Sequence, residues 1–376
     1  MINKKETQKE RIDKIQENSR KGILSFFPYN FKIFNKFVPG MIIEPTIITA
    51  NSSGGKSSLM KFLYIIKAVE LAIEKNLTYH LLLFALEDDE MIIRHTILCY
   101  LYWETYNDFI DIKLLEGARF NDNGDVIPMT PLQIQRKNEL LPYVDKYMEY
   151  ITIFDDIYDV DEIHHYVMKF AFNSGEFYIE GRKLSLPEVL TNVDYDYYKK
   201  VKYEHVAVAV DHVGLLNESD NYDTLYKCIG ALSKIGKQLF VKKLGYHWLM
   251  VQQQSEETND LEHIKSNYFL PTLQGLSDRK STGKDSRLSL GVVNPSKYGL
   301  KKFNGYNMEL MKGYYRAVSI IKQTMGITDM TFNCLFIPYS CSFYLLPPVK
   351  KDEEVPEKTL DFIKNILLKI KEYEGI

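Results

Sequence analysis

Four cysteines in 376 residues are few, and Cys99, Cys228, Cys334 and Cys341 lie far apart in the chain. No pair has metal-ligand spacing, and the four read as reduced core thiols of a cytosolic protein rather than a disulfide framework. Excess charge of one sign is also lacking. With 47 basic and 50 acidic residues the formal net charge is −3. No global field draws the chain to nucleic acid, so any such contact must be local. No apolar run approaches the ~20 residues that span a bilayer, and Met1–Arg20 is too charged and polar to be a secretory leader. No internal repeat is visible. What remains is a hydrophobic content of 45%, enough to bury a large core as one α/β domain with an appendage, or as two domains.

Residues 44–58 read EPTIITANSSGGKSS. An apolar run, Thr46-Ile47-Ile48, ends in small residues and then Gly54-Gly55-Lys56-Ser57-Ser58, and a helical pattern follows over 59–75. Strand, small-residue loop, Gly-Lys-Ser and helix form the layout of a phosphate-binding loop. Side chains must be small where the backbone wraps phosphate oxygens, so Asn51, Ser52, Ser53, Gly54, Gly55, Lys56, Ser57 and Ser58 are the candidate nucleotide contacts. Inward N–H groups and a helix N-terminus supply positive potential. Lys56 would reach the β- and γ-phosphates, and the Ser57 hydroxyl would hold Mg²⁺. The first glycine of the usual pattern is Ala50, and Gly54 can supply the missing freedom.

The rest of the chain organises around this loop. Residues 1–21 read as a charged helical arm, either a frayed tail or a contact with a neighbouring subunit. Further apolar runs predict strands at His80–Leu86, Tyr150–Phe154, His205–Val210, Tyr246–Gln252, Leu288–Val293, Arg316–Lys322 and Thr331–Ile337. Helical patterns at 91–106, 133–148, 160–172 and 222–244 separate the earlier ones. The Tyr- and Lys-rich stretch 173–200, with a hairpin around Glu180-Gly181, reads as an insertion. A proline-bearing linker and an amphipathic helix over 359–373 make 348–376 an appendage to the main domain, 22–347. Apolar strands alternating with helices predict an α/β fold, a mainly parallel central sheet with helices on both faces. Ligands bind such sheets at the carboxyl ends of strands.

Several strands end in useful chemistry. Glu87 follows HLLLFAL and can polarise an attacking water. Asp88 and Asp89 compete with it, or the acids simply favour a helix N-terminus. Asp211 follows HVAVAV and can orient Mg²⁺. Gln253, or Gln252 before it, can contact the γ-phosphate and report its loss to a neighbouring loop.

The order phosphate loop, Glu, Asp, Gln resembles the RecA-like ATPase domain of replicative hexameric DNA helicases, the DnaB type and the helicase half of phage primase-helicases. Phe84-Ala85-Leu86-Glu87 is similar to the strand bearing the family's catalytic glutamate. Val210-Asp211-His212 resembles its Walker B strand, Leu232–Lys237 the helix before the glutamine strand, and Val251-Gln252-Gln253-Gln254 that strand. The loop Leu276–Arg287 and the run Lys322-Gln323-Thr324-Met325-Gly326 resemble the later motifs. The resemblance covers about 22–347. It implies an ATP- and Mg²⁺-dependent motor on single-stranded DNA, assembled as a homo-oligomeric, hexameric ring, with catalytic roles for Lys56, Glu87, Gln253 and Lys322. It places Arg279, Lys280, Lys284 and Arg287 on a DNA-binding loop, with the segment Asn217–Asp223 as a second candidate. Thr324 stands at the family's arginine finger, which leaves three options: Lys322 suffices, Arg316 substitutes, or hydrolysis is weak. The N-terminal primase-binding domain of the bacterial enzymes has no counterpart here, so primase or a loader is an open partner. The implied location is the cytoplasm, that of the host if the protein is phage-encoded. A RecA-like, DNA-dependent ATPase of recombination or repair without helicase activity is the alternative. A nucleotide-binding scaffold with a degraded site would have to explain the retained Lys56, Ser57, Glu87 and Asp211.

Overall fold

Continuous apolar runs belong in strands covered on both faces, and they form the centre of the molecule. The computed structural model describes residues 8–21, 26–32, 34–191, 194–200, 205–255, 270–350 and 353–375. Residues 1–7 of the expected arm, 192–193 of the expected insertion, and 256–269, 351–352 and 376 lie outside the described residues.

In chain order the strands are β1 (Pro45–Ala50), β2 (Tyr79–Ala85), β3 (Ile151–Phe154), β4 (Gly175–Ile179), β5 (Arg182–Lys183), β6 (Asp196–Lys199), β7 (His205–Asp211), β8 (His247–Gln253), β9 (Leu288–Val293), β10 (Lys302–Phe303), β11 (Tyr306–Asn307), β12 (Tyr315–Gln323), β13 (Met330–Ile337) and β14 (Ser342–Leu346). Nine form one sheet in the order β14-β13-β12-β9-β1-β8-β7-β2-β3. From β9 to β3 neighbours are parallel, while β12, β13 and β14 extend the sheet antiparallel. The mainly parallel α/β architecture expected from the sequence is what the chain adopts.

The period-2 alternation of strands splits each run between two cores. Ile48, Leu81, Leu83, Leu249 and Leu290 face one side, packed with Leu59, Leu63 and Val69 of the segment that follows the glycine-rich loop. Ile47, Leu82, Phe84, Val208, Val210 and Met250 face the other, against Ile163, Val167, Leu232 and Phe240. Helix Glu90–Tyr106 is capped by Asp89, whose side chain accepts from Ile92 N. Helix Val160–Ser174 is capped in the same way by Asp159, each cap satisfying backbone donors that have no intrahelical partner.

The stretch 173–200 holds the three-stranded sheet β5-β4-β6, separate from the central one. Sequence reading gave its hairpin but not β6, because Asp-Tyr-Tyr-Lys lacks an apolar alternation. It also missed β14, which follows the turn Pro338–Ser340 after too short an interval to stand out. The helix expected over 222–244 runs as Leu225–Ile235 and then a wider turn, Gly236–Val241. Gly236 is required there, since an added Cβ would lie 2.3 Å from the Trp248 indole nitrogen. The N-terminal helix Gln8–Arg20 leaves Ile12 and Ile15 exposed. Among the described residues no helix is long and apolar enough to cross a membrane.

His247 opens β8 fully buried, bonded to the Tyr64 hydroxyl at 2.9 Å and to the Ile42 carbonyl. Burial lowers its pKa to about 4. The unfolded chain takes up this proton near pH 6.5, so between about pH 6.5 and 4 it binds a proton that the folded chain refuses. The stabilisation is fully present above about pH 6.5 and lost as pH falls to about 4, roughly 3 kcal/mol in all. Burial lowers His80 and His205 to about 4 as well, so they act in the same direction. Urea-unfolding midpoints are expected to fall across this window, and less steeply in His247→Gln. A midpoint equally steep in that variant would remove His247 from the account.

Candidate active site

β1 ends at Ala50, and the chain turns tightly through Asn51–Gly55 before the helix that starts at Lys56. Gly54 N donates to Asn51 O at 2.8 Å. A Cβ on Gly54 would lie 2.7 Å from the Ala50 Cβ and 2.8 Å from Asn51 O. Gly54 therefore compensates for Ala50 by giving it room. Gly55 has φ +107°, a left-handed value that glycine adopts without a steric penalty. Side chains from the segment after β9 brace the loop: Lys297 Nζ donates to Ser52 O at 2.6 Å, and the Asn51 side-chain amide donates to the Tyr298 hydroxyl. No motif in the sequence announces that brace.

The parallel register brings the strand ends to this loop. Ala50 pairs with Gln253, and Ala85 with Asp211. Lys56 Nζ lies 3.3 Å from Glu87 Oε2, and Ser57 Oγ donates to Asp211 Oδ1 at 3.1 Å. Asp88 pairs with Lys61 at 2.6 Å and Asp89 caps the next helix, so Glu87 is the acid that faces Lys56. Burial alone would raise the Glu87 pKa, but the charge and hydrogen bond of Lys56, with the nearby His212 and Lys61, together outweigh it, and the net shift is downward. Asp211 is fully buried, and burial pushes its carboxyl up to about 6 against the opposing pull of Lys56 and Lys61. Side by side, one carboxylate is ionised and half-open to solvent and the other is buried on a hydroxyl.

Ser57 and Asp211 offer hard oxygen donors that fit Mg²⁺, which keeps several waters and takes its remaining ligands from phosphates. Among the described residues no group of three His, Cys, Asp or Glu side chains could hold an ion alone. The cleft has a volume of about 260 Å³ and is lined by Ser52, Ser53, Gly55, Lys56, Ser57, Ser58, Glu87, His212, Gln253, Arg316 and Phe336. A larger hollow of about 570 Å³ beside Phe109, Arg119 and Tyr373 shares none of these residues.

Strand alternation separates the three glutamines. Gln253 lines the cleft. Gln252 donates to Ser277 O at 2.6 Å and Arg279 O at 3.2 Å, and accepts from the Thr282 hydroxyl at 2.7 Å. Gln254 donates to the Thr49 hydroxyl at 2.9 Å and Thr272 O at 3.0 Å, and accepts from Thr272 N. The loop that carries the basic residues is thus fastened on both sides of the residue at the cleft.

On that loop Lys280, Lys284 and Arg287 are exposed. Arg279 is engaged, donating to Tyr226 O at 2.8 Å and lying 4.2 Å over the Tyr226 ring. Arg287 pairs with Glu44 at 3.7 Å, and its N–H donates to Pro45 O at the entry of β1. Lys322 does not join the Lys56 cluster of its own chain. β12 runs antiparallel, so Lys322 pairs with Ser289 near the start of β9, and its Nζ donates to Gly283 O at 2.7 Å. Arg316, six residues earlier, lies at the loop end of the same strand, roughly 20 Å away at strand rise. Thr324 is exposed just past β12. His212 and Phe336 line the cleft and were not singled out by sequence reading.

No family of known sequences and no curated protein matches the chain. Solved structures do. The ATPase domain of G40P superposes over 92% of this chain and 100% of its own, with TM-score 0.64 and 15% identity. A DnaB-like replicative helicase, described together with its interactions with primase, superposes over 90% of this chain and 68% of its own, with TM-score 0.61 and 15% identity. At such identity the likeness speaks for the fold. The chain has the RecA-like fold of the ATPase domains of DnaB-type replicative helicases, as the order of its motifs implied.

Proposed function

We propose that the chain is an ATP-driven DNA helicase motor of the replicative type, hydrolysing ATP at subunit interfaces to move along single-stranded DNA. The observation that carries this reading is the meeting of Lys56, Ser57, Glu87 and Asp211 at one sheet edge, on the fold of helicase ATPase domains. The turn 51–55 wraps the phosphates, and Lys56 neutralises the β- and γ-oxygens. Ser57 and Asp211 would hold Mg²⁺, which would supply further charge neutralisation at the phosphates. Glu87, ionised, orients a water and takes its proton as the water oxygen attacks the γ-phosphorus and the bond to the bridging oxygen breaks. Gln253 senses the γ-phosphate, and Gln252 and Gln254 pass its loss to the loop at 272–287; the cleft position of Gln253 and the loop bonds of its neighbours support this. Exposed Lys280, Lys284 and Arg287 suit single-strand phosphates, while Arg279 serves that loop as a structural anchor. Lys322 acts only on another copy's nucleotide, as a homo-oligomeric ring allows. Primase is a fitting partner by analogy with the DnaB-like neighbour, and the cytoplasm, a host's if phage-encoded, the fitting location.

Thr324 favours a second reading, a DNA-dependent ATPase that does not unwind. ATP hydrolysis with and without single-stranded DNA, run beside unwinding of a forked duplex, separates the two. The expected result is severalfold stimulation by DNA together with strand separation. Stimulated hydrolysis without separation selects the second reading, and no hydrolysis with DNA present rejects both.

A further inference from the structure

We propose that Arg316 is a nucleotide ligand supplied by the same subunit, a fixed guanidinium that grips the polyphosphate from the flank of the loop opposite Glu87 and Asp211. The inference rests on the reading of the cleft as an ATP site.

Position comes first. Ala317 pairs with Val293, and Val292 with Ala50, so the start of β12 lies at the sheet edge where the loop begins. β9 and β12 flank β1 on one side, and β8, β7 and β2 on the other, with Asp211 on β7 and Glu87 just past β2. Arg316 lies so close to the loop that a Cβ on Gly55 would be 3.2 Å from its Nε. Both residues line the cleft.

Its bonding is incomplete. Arg316 is buried, with its Nη1 donating to Gly313 O at 2.6 Å and Tyr315 O at 2.8 Å. The guanidinium lies 4.9 Å over the Phe336 ring, which fixes its plane. Its Nε has no hydrogen-bond partner. Among the described residues no carboxylate pairs with it. Burial lowers its pKa to about 10, so it stays charged at neutral pH. A buried cation without an anion is costly unless something repays the desolvation. The cleft it lines is built for phosphate oxygens, which guanidinium donors match in geometry and charge. Held against its own loop, this side chain cannot project outward as a finger to a neighbouring copy.

The test uses the full chain, R316M and R316K, with ADP and ATP binding measured by calorimetry in Mg²⁺ and thermal midpoints taken with and without nucleotide. R316M is expected to bind both nucleotides at least tenfold more weakly. Without nucleotide it should melt no lower than the unmodified chain, because the uncompensated charge is gone. R316K is expected to recover part of the affinity. Unchanged affinity in R316M overturns the inference and leaves the ATP site standing. Weaker binding with a lower nucleotide-free midpoint, and no recovery in R316K, marks a packing role and overturns it too. Failure of the unmodified chain to bind either nucleotide sinks the ATP-site reading, and the inference with it.

Discussion

Glu87→Gln is expected to bind ATP nearly as the unmodified chain does and to turn it over about 10²–10⁴-fold more slowly, the range a positioned general base contributes. Glutamine keeps the length of the side chain and an oxygen that can accept from Lys56. It loses the negative charge that draws a proton from water. The lowered pKa of Glu87 means that the charge is present at neutral pH, and its half-open position leaves room for a water beside it. Asp88 and Asp89 cannot take over, because one is held by Lys61 and the other by the helix it caps. Single-turnover hydrolysis next to equilibrium ATP binding makes the comparison. Turnover within about threefold of the unmodified chain would remove Glu87 from the reaction.

Lys56→Ala is expected to abolish measurable turnover and to weaken ATP binding by about 2–5 kcal/mol, the loss seen when one member of a buried charge pair is truncated. The ammonium is buried at the N-terminus of its helix, 3.3 Å from Glu87. It pairs with Glu87, the carboxylate to which the proposed mechanism assigns the attacking water. On the proposed reading, a bound triphosphate would give the ammonium a stronger partner and free Glu87 to act on water. The alanine variant keeps the turn, since Gly54 and Gly55 shape the backbone and alanine suits a first helical turn. Calorimetry with ATP and a phosphate-release assay test both halves. Retained hydrolysis at the unmodified rate would mean that the loop is not the phosphate site.

Much of this was legible in the sequence because buried parallel strands announce themselves as unbroken apolar runs, and their last residues fall at one edge. Glu87, Asp211 and the Gly-Lys-Ser loop were found that way. Where the sequence left choices, only the third dimension decided. Asp88 and Asp89 read like Glu87 until Lys61 and the helix cap claim them. Gln252 and Gln253 are chemically identical, and the pleat alone turns one to the cleft and the other to the loop. Lys322 entered the catalytic set by its place in a motif, and the antiparallel course of β12 puts it at the far end from the Gly-Lys-Ser loop of its own chain. Arg316 read as an alternative to it because no sequence signal reveals that β12 lies two strands from β1, with β9 between them. Chain order says little about which strands become neighbours once the connections are long.

Three adjacent glutamines at the end of β8 leave very little slack. Their backbone is one extended segment, hydrogen-bonded to β1 through Gln254 N and Ala50 O at 2.9 Å. A shift of the strand backbone at Gln253 is passed directly to its two neighbours, whose amides hold Thr272, Ser277 and Thr282. One residue inserted ahead of Gln252 would invert the arrangement, turning the two anchoring amides toward the cavity and the central one away from it. The wiring is therefore a matter of odd and even positions along a single strand, and it tolerates chemical substitution better than a change of count.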